Sequence, residues 1–585
     1  MKASTHNYQQ QMISLRKFVE DEHEAGLKHF MEIWGKSLQG KIDAGETQVI
    51  KSVRREDSHS VIVALGDNQS RFREGDMIRL YKSEPLAEAC LAQGTIEAEN
   101  DDEWLIRFSK IDREVLSQLA EGCYADPCTM DLKDFYMQSL NDIAMSKTGR
   151  EVVLPLLFGE LNINAVDEAL YDKVAEIAEA AGFNEDQQQA VALGVASKYL
   201  VCIQGPPGTG KTRVIGEIAK LLVARNERVF LTSHTHMAIN NALNATAKHD
   251  VPVAKIGSVN STKGLAKDII CYSKGDDWQE RPDSGYVIGA TPFATCSSRL
   301  EAYEFDTIIF DEASQITLPL AIMAMRKGKR FVFVGDHKQL PPVLLSDSVF
   351  SSDSAFSRLL TNNDDVSVML QTTYRLSKAL SSWPSAEYYQ GRLLSEGSNK
   401  NRNIKFLHAP KTHAKILEPN NPFVFIPSPS NNSKSQNAEE AELVVNIVCS
   451  AVNAGLDVTE IGIVAPFRQH GKNIRKLLRE RLGYSDAGKI VADTVERMQG
   501  QEREMVIVSL CATQPAYLKA ISEFIFMPER LNVSITRSKT KLIVIGPEIE
   551  SDFISGYEIS KSLRESIAAY KSLIQSARKI ELENI

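Results

Sequence analysis

The chain of 585 residues has no long apolar run, and Met1-Lys-Ala-Ser-Thr-His-Asn7 lacks the apolar core of a secretion signal. Neither a membrane span nor export is expected, and a cytoplasmic location is. Cysteine is scarce, with eight residues scattered over the length. Cys123 and Cys128 are the only close pair and have no second pair nearby, which argues against a zinc site and for free thiols in a reducing compartment. Positive charge is not in excess either: the formal net charge is -9. The whole molecule is therefore no polybasic nucleic-acid binder, and any such contact must be a local groove. Internal repeats and low-complexity tracts are lacking too; Pro427-Ser-Pro-Ser-Asn-Asn-Ser-Lys-Ser-Gln436 is the most loop-like stretch. What remains, 43% hydrophobic and 24% charged residues, is an ordinary globular composition. The length suits roughly three or four domains.

The most informative stretch is Gly205-Pro206-Pro207-Gly208-Thr209-Gly210-Lys211-Thr212, which fits the phosphate-loop pattern G-x-x-x-x-G-K-[ST]. Apolar Tyr199-Leu-Val-Cys-Ile203 precedes it, and Ile215, Ile218, Ala219, Leu222 and Val223 follow at helical spacing. The loop is thus predicted between a strand and a helix, where backbone N–H groups and the helix N-terminus can cradle phosphate oxygens. Lys211 would reach the β- and γ-phosphates and Thr212 would ligate Mg²⁺.

Taken in order, residues 7–36 read as a helix with an apolar stripe of Phe18, Val19, Leu27, Phe30, Met31 and Trp34. Short strands are predicted at 61–65, 77–81, 92–96 and 103–108, which suggests a small barrel over about 50–110, followed by helix at 113–147. From about 165 strands and helices alternate. Apolar runs fall at 199–203, 229–231, 286–288, 307–310 and 331–334, then at 423–426, 461–464, 505–509 and 542–545. Continuous apolar runs with helices between them indicate parallel sheets covered on both faces, and two series indicate two α/β domains. The expected division is an accessory module over 1–164, a first motor domain over 165–345 and a second over 346–585, with a C-terminal helix.

In such folds ligands bind beyond the carboxyl ends of the strands. After Phe310 come Asp311 and Glu312, suited to holding Mg²⁺ and to orienting and deprotonating an attacking water. After Val334 comes Gly335-Asp-His-Lys-Gln-Leu-Pro-Pro342, where the Gln339 amide could sense a γ-phosphate. Tyr374 could stack on a base and Arg375 could pair with phosphate.

These motifs, in this order over roughly residues 183–546, resemble the superfamily 1B helicases of the branch that includes the nonsense-mediated-decay helicase, the immunoglobulin mu-binding helicase and senataxin. Phe183-Asn-Glu-Asp-Gln187 is similar to the glutamine motif that reads adenine. Thr232-Ser-His-Thr-His236 and Gly289-Ala-Thr291 resemble strand-contact motifs of the first motor domain, and Ala465-Pro-Phe467 one of the second. Asp493-Thr-Val-Glu-Arg-Met-Gln-Gly-Gln-Glu502 and Arg530-Leu-Asn-Val-Ser-Ile-Thr-Arg537 resemble motifs V and VI. The resemblance implies two RecA-like domains with an N-terminal helical stalk and inserted barrel. It implies catalysis by Lys211, Glu312, Gln339 and the arginine fingers Arg375 and Arg537, with ATP and Mg²⁺ as cofactors. Gln187, Tyr374 and Glu502 would join the phosphate loop in holding the nucleotide. Thr235, His236, Thr291, Pro466 and Thr494 would grip single-stranded DNA or RNA, and a monomeric motor would move 5′-to-3′. Thr373, Leu376-Ser-Lys378, Thr235-His236, Asn240, Glu496 and Met498 depart from the usual residues, in positions that bear on strand contacts and packing. No N-terminal Cys/His module, iron–sulphur cysteine set or nuclease motif is seen in the sequence. The competing expectation is an ATP-switched clamp that grips nucleic acid without unwinding it.

Overall fold

The computed structural model describes residues 8–66, 68, 70–82, 90–100, 102–159, 165–346, 350, 354–363, 366–550, 553 and 560–584. The chain forms two compact units, Met1–Met145 with Val343–Ser352, and Ser146–Pro342 with Asp353–Ile585.

In the first unit the helix Gln9–Trp34 buries Met12, Leu15, Phe18, Val19 and Ile33 on one stripe. Six antiparallel strands then close a barrel in the order β1-β2-β5-β4-β3-β6. They are β1 (Gln48–Arg55), β2 (Ser60–Leu65), β3 (Met77–Tyr81), β4 (Ala92–Glu99), β5 (Glu103–Phe108) and β6 (Cys123–Pro127). Val61, Val63, Ile78, Leu80, Ile96, Trp104 and Ile106 fill its interior. The last strand corrects the expected helix over 113–147. The chain there forms a helix over Arg113–Leu119, then β6, then a helix over Lys133–Met145. Cys123-Tyr-Ala-Asp-Pro127 has little intrinsic strand preference, so tertiary pairing decides its form. It closes the barrel against both β1 and β3. Within it Asp126, fully buried, accepts from Lys41 Nζ at 2.7 Å and lies 3.7 Å from Arg79. Tyr81 OH donates to the same carboxylate at 3.0 Å.

The second unit carries two parallel sheets. The first has the order β10-β9-β11-β8-β12-β13-β7-β14. Its strands are β7 (Leu200–Gln204), β8 (Arg228–Thr232), β9 (Val253–Ile256), β10 (Cys271–Tyr272), β11 (Tyr286–Gly289), β12 (Thr307–Phe310), β13 (Arg330–Gly335) and β14 (Ser367–Met369). Because β14 pairs with β7, this sheet runs past the boundary expected at residue 345. A short parallel pair follows, β15 (Thr372–Thr373) with β16 (Leu394–Ser395). The second sheet has the order β19-β18-β20-β21-β17-β22. It is built from β17 (Phe423–Pro427), β18 (Ile461–Val464), β19 (Val491–Asp493), β20 (Arg503–Ser509), β21 (Ser538–Gly546) and β22 (Arg578–Lys579). Alternate residues of one strand feed two cores: Val424, Ile463, Ile507 and Ile543 pack on one face, and Phe425, Val464, Val508 and Val544 on the other. Such strands are apolar throughout because both faces are covered. The molecule is thus an α/β protein of two RecA-like domains, with an N-terminal helical and barrel module. Among the described residues no helix is long and apolar enough to cross a membrane.

Candidate functional site

Parallel strands bring the first sheet's predicted loops to one edge. The phosphate loop follows β7, Asp311 and Glu312 follow β12, and Gln339 follows β13, three neighbouring strands. The strand-contact loops follow β8 and β11 alongside them. In the second sheet Pro466 follows β18 and Thr494 follows β19, which are paired neighbours.

A cleft of about 330 Å³ opens where the two sheet edges meet. Its walls carry Lys211, Thr212, Asp311, Glu312 and Gln339 from the first sheet's loops. Tyr374 and Arg375 stand on the loop after β15, and Glu502 and Arg537 come from the second sheet. The helix Lys211–Ala224 starts at the cleft, and left-handed Gly210 at φ 86° caps it. Lys211 folds back so that its Nζ donates to the Gly205 carbonyl at 2.5 Å. Gly208, at φ 75°, leaves room for the neighbouring loop: an added Cβ would lie 2.4 Å from the Arg375 Cβ. That loop is fastened there, with Tyr374 N–H donating to the Gly208 carbonyl and Thr373 Oγ1 to the Pro207 carbonyl, each at 2.8 Å.

Charge is concentrated in this space. Burial, and then the Glu312 charge, pushes Asp311 up to about 7 while Lys211 pulls it down. Glu312 adopts a left-handed backbone at φ 49° and accepts from Gln499 Nε2 at 3.3 Å. A hydroxyl on Thr212 beside two carboxylates is a donor set that suits a hard divalent cation. Arg375 donates through Nε to Glu502 at 2.6 Å and through a guanidinium nitrogen to the Thr536 carbonyl at 3.2 Å. Burial raises Glu502, but the charge and hydrogen bond of Arg375, with Lys539 and Arg537 behind them, bring it below the usual carboxylate range. Arg537 is 2% exposed, and its Nε donates to the Val533 carbonyl at 2.9 Å. Another of its nitrogens reaches Gln339 Oε1 at 3.5 Å. Gln339 in turn donates to Asp336, which accepts from Tyr389 OH, and Asn532 Nδ2 donates to that hydroxyl. This buried chain joins the two sheets behind the cleft.

Not every predicted residue reaches the wall. Gly205 and Pro206 are buried, with the Gly205 N–H donating to the Gly335 carbonyl. Gln187 is likewise buried and outside that lining. Thr235, His236, Thr291 and Pro466 are at least partly exposed, but Thr494 is buried. The Thr235 hydroxyl accepts from the Ala238 N–H and caps the helix His236–Ala247. Sequence reasoning missed Ala238, Asn241 and Gly500 on the wall, and also Gln499 at Glu312. It also missed His234, whose ring lies within the field of Glu312. The sheet register could have found His234, since β8 and β12 pair side by side.

Two family models, each described as "AAA domain", match residues 182–269 with 282–347, and residues 351–548. Among curated proteins the chain is similar to the "DNA replication ATP-dependent helicase/nuclease DNA2" of Bos taurus and of Homo sapiens. Each is 32% identical over 400 residues, covering 62% of this chain and 37% of the relative. The Saccharomyces cerevisiae protein of the same name is 27% identical over 413 residues, covering 63% of this chain and 26% of its own length. The match therefore spans less than two-fifths of these relatives. Among solved structures, an arterivirus nonstructural protein 10 helicase with DNA aligns over 81% of this chain and 78% of that one, at 13% identity and a TM-score of 0.38.

Proposed function

Because the chain belongs to the superfamily 1 helicases of the DNA2/NAM7 branch, we propose that it is an ATP-driven motor that moves along single-stranded nucleic acid and separates strands. The observation that carries this reading is the cleft itself. Lys211 and the two carboxylates come from one sheet's loops and Arg537 from the other's, and Arg375 bonds Glu502 and Thr536 from a loop that its neighbours Tyr374 and Thr373 fasten to the phosphate loop.

Lys211 and the phosphate-loop amides hold the triphosphate. Thr212 and Asp311 would hold Mg²⁺, which would supply positive charge against the phosphates. Glu312 takes the proton of the attacking water, and its left-handed backbone sets its direction into the cleft. Arg375 and Arg537 stabilise charge on the transferred phosphoryl group, and Gln339 links that charge to the buried chain through Asp336 and Tyr389. Loss of the γ-phosphate removes the anion that both arginines share, so the two domains separate. Thr235, His236 and Thr291 on one domain and Pro466 on the other then shift relative to each other along a strand, gripping backbone without reading sequence.

The test is strand displacement on a duplex with a 5′ single-stranded tail, run with ATP and Mg²⁺. Displacement that requires ATP, prefers the 5′ tail and disappears in Lys211→Ala supports the motor and its 5′-to-3′ direction. ATP-dependent binding with turnover but no displacement would show a switched clamp instead. Parallel ATPase rates with matched single-stranded DNA and RNA assign the substrate.

A further inference from the structure

Phe524, 42% exposed, is the one exposed phenylalanine among the described residues. It stands on the helix Pro515–Ile525, between β20 and the helix Pro528–Ile535. Leu518, Ser522 and Ile525 form the buried stripe of its helix. Tyr517, Ile521 and Phe524 recur one position earlier, at i, i+4 and i+7, and so form a second stripe along the border of the first. That border meets the predicted strand-contact loop after β18. The Phe467 ring of this loop lies 6.1 Å from the Phe524 ring and 6.4 Å from the Tyr517 ring, centre to centre, tilted by 31° and 40°. Rings at such distances are packed against one another, so a further ring can be met only on the outer surface of Phe524.

The Phe524 ring is also held in place. The Arg530 guanidinium lies over one face, 4.2 Å from the ring centre. Arg530 is itself fixed by Glu496, whose carboxylate accepts from it at 2.6 Å. Glu496 lies two residues beyond Thr494, and Phe467 directly follows Pro466. The ring therefore stands between the two residues of the second domain that are expected to grip a strand. Its surroundings are cationic. The helix Arg468–Ala487 starts at the same loop and carries Arg468, Lys472, Arg475, Lys476, Arg479 and Arg481 against Glu480 and Asp486, in a chain whose net charge is -9. One open ring edged by cations suits a base with its phosphates. An apolar protein surface would gain a single ring here and would strip water from the cations beside it, which is costly.

We propose that Phe524 is a stacking platform for a base of the single strand, fixed by Arg530 and Phe467 and set beside the backbone grip of Pro466. The proposal rests on the motor reading above and adds to it a base contact outside the strand-contact loops. A phenyl ring has no donor or acceptor with which to choose among bases, so the contact tolerates any sequence. The ring carries no charge, so it adds affinity without releasing counterions. Because Phe524 belongs to the second domain, the stacked base travels with that domain when the cleft opens.

The experiment measures the Kd of the full chain for thymidine and uridine homopolymers and for base-free sugar–phosphate strands of equal length. Phe524→Leu keeps an apolar side chain and removes the ring. It should weaken binding to the base-bearing strand by about 5- to 100-fold, the range of one base–aromatic stack. The slope of log Kd against log salt should stay at the parent's value. On the base-free strand parent and variant should bind alike, because the lost ring then has no partner to miss. Phe524→Tyr keeps the ring and should bind as the parent does. Circular dichroism checks that both variants are folded. The parent itself should prefer the base-bearing strand by at least the same factor, and equal affinity for the two overturns the proposal without any variant. Parental affinity in Phe524→Leu, an equal loss on the base-free strand, a flattened salt slope, or Phe524→Tyr as weak as Phe524→Leu would each overturn it too, and each leaves the motor reading standing. A parent that binds no strand of either kind sinks the motor reading, and the platform falls with it.

Discussion

Burial, with the charge of Arg375 behind it, brings Arg537 down to about 9, and Glu312, Tyr389 and Glu502 pull it back up. The guanidinium is still charged at neutral pH but is held by a backbone carbonyl, an amide oxygen and a hydroxyl, with no carboxylate bonded to it among the described residues. An arriving phosphate anion would meet a cation already stripped of water, where its effect on a transition state is largest. Arg537→Ala and Arg375→Ala are each expected to lower kcat by about 10³ or more, with nucleotide Kd changed far less; stopped-time ATPase and equilibrium binding measure the two. Arg537→Lys should rescue little, because an ammonium cannot reproduce a fork that spans Val533 and Gln339. Glu312→Gln keeps the side-chain shape and removes the base, so ATP binding should persist while cleavage stops. Cleavage at the wild-type rate would place the base elsewhere. Glu312 was expected from the apolar run directly before it, and the finger roles of Arg375 and Arg537 from the resemblance of their motifs to those of the helicases. The bonds of Gln187 to Thr209 and Asn184 were not expected, since an amide's partners depend on the tertiary setting.

Gly208 shows how one backbone position fixes two loops. Its left-handed φ and the 2.4 Å approach to Arg375 leave no room for a side chain. Gly208→Ala should cost about 1–2 kcal/mol of backbone strain alone and displace the 372–375 loop. The expected outcome is a folded protein with a modestly lower Tm and a kcat loss like that of Arg375→Ala; unchanged turnover would show that the loop need not dock there. At the far side of the second sheet, His470 is buried and brought down to about 4 by that burial. Its Nε2 meets Ser509 Oγ at 2.8 Å, and its Nδ1 faces the Asn437 N–H at 3.5 Å. Ser509 also donates to buried Glu440 at 2.7 Å, so Nε2 carries the proton and Nδ1 is the acceptor. The unfolded chain takes up a proton at about 6.5 and the folded one only near 4, so stability is lost as pH falls through that window. Urea unfolding between pH 7 and 4 should show this acid slope, shallower in His470→Gln. Glu440, raised by burial, slopes the opposite way and remains in both proteins. The long strands behind these contacts were legible as unbroken apolar runs. The edge strands β10, β14, β19 and β22 are two or three residues long and carry too little pattern to read. β6 was hidden because its register, and the burial of Asp126 with Lys41, exist only once the barrel has closed.

For the molecule as a whole, a net charge of -9 makes any cationic surface informative. The barrel offers one in Lys51, Arg54 and Arg55, exposed on β1, with exposed Arg71 on the loop between β2 and β3. Arg73 belongs less to it, being half-buried and 3.4 Å from Asp76. Deleting residues 50–110 would not test this surface cleanly. It would remove most of β1 and all of β2 to β5, so β6 would lose its pairing with β3 and Asp126 would lose Arg79 and Tyr81; breaking up a buried charged cluster costs about 3–5 kcal/mol. Reversing the four exposed cations together, Lys51→Glu, Arg54→Glu, Arg55→Glu and Arg71→Glu, leaves the closed barrel and its core in place. If they face phosphates, each lost contact should flatten the slope of log Kd against log salt by about 0.7 on a single strand. Affinity at low salt should fall while ATPase without nucleic acid stays at the wild-type level. Circular dichroism unchanged from the parent confirms that folding is intact. Equal affinity and equal salt slope in that folded variant would make the barrel a packing module, and would leave strand contact to the loops after β8, β11 and β18.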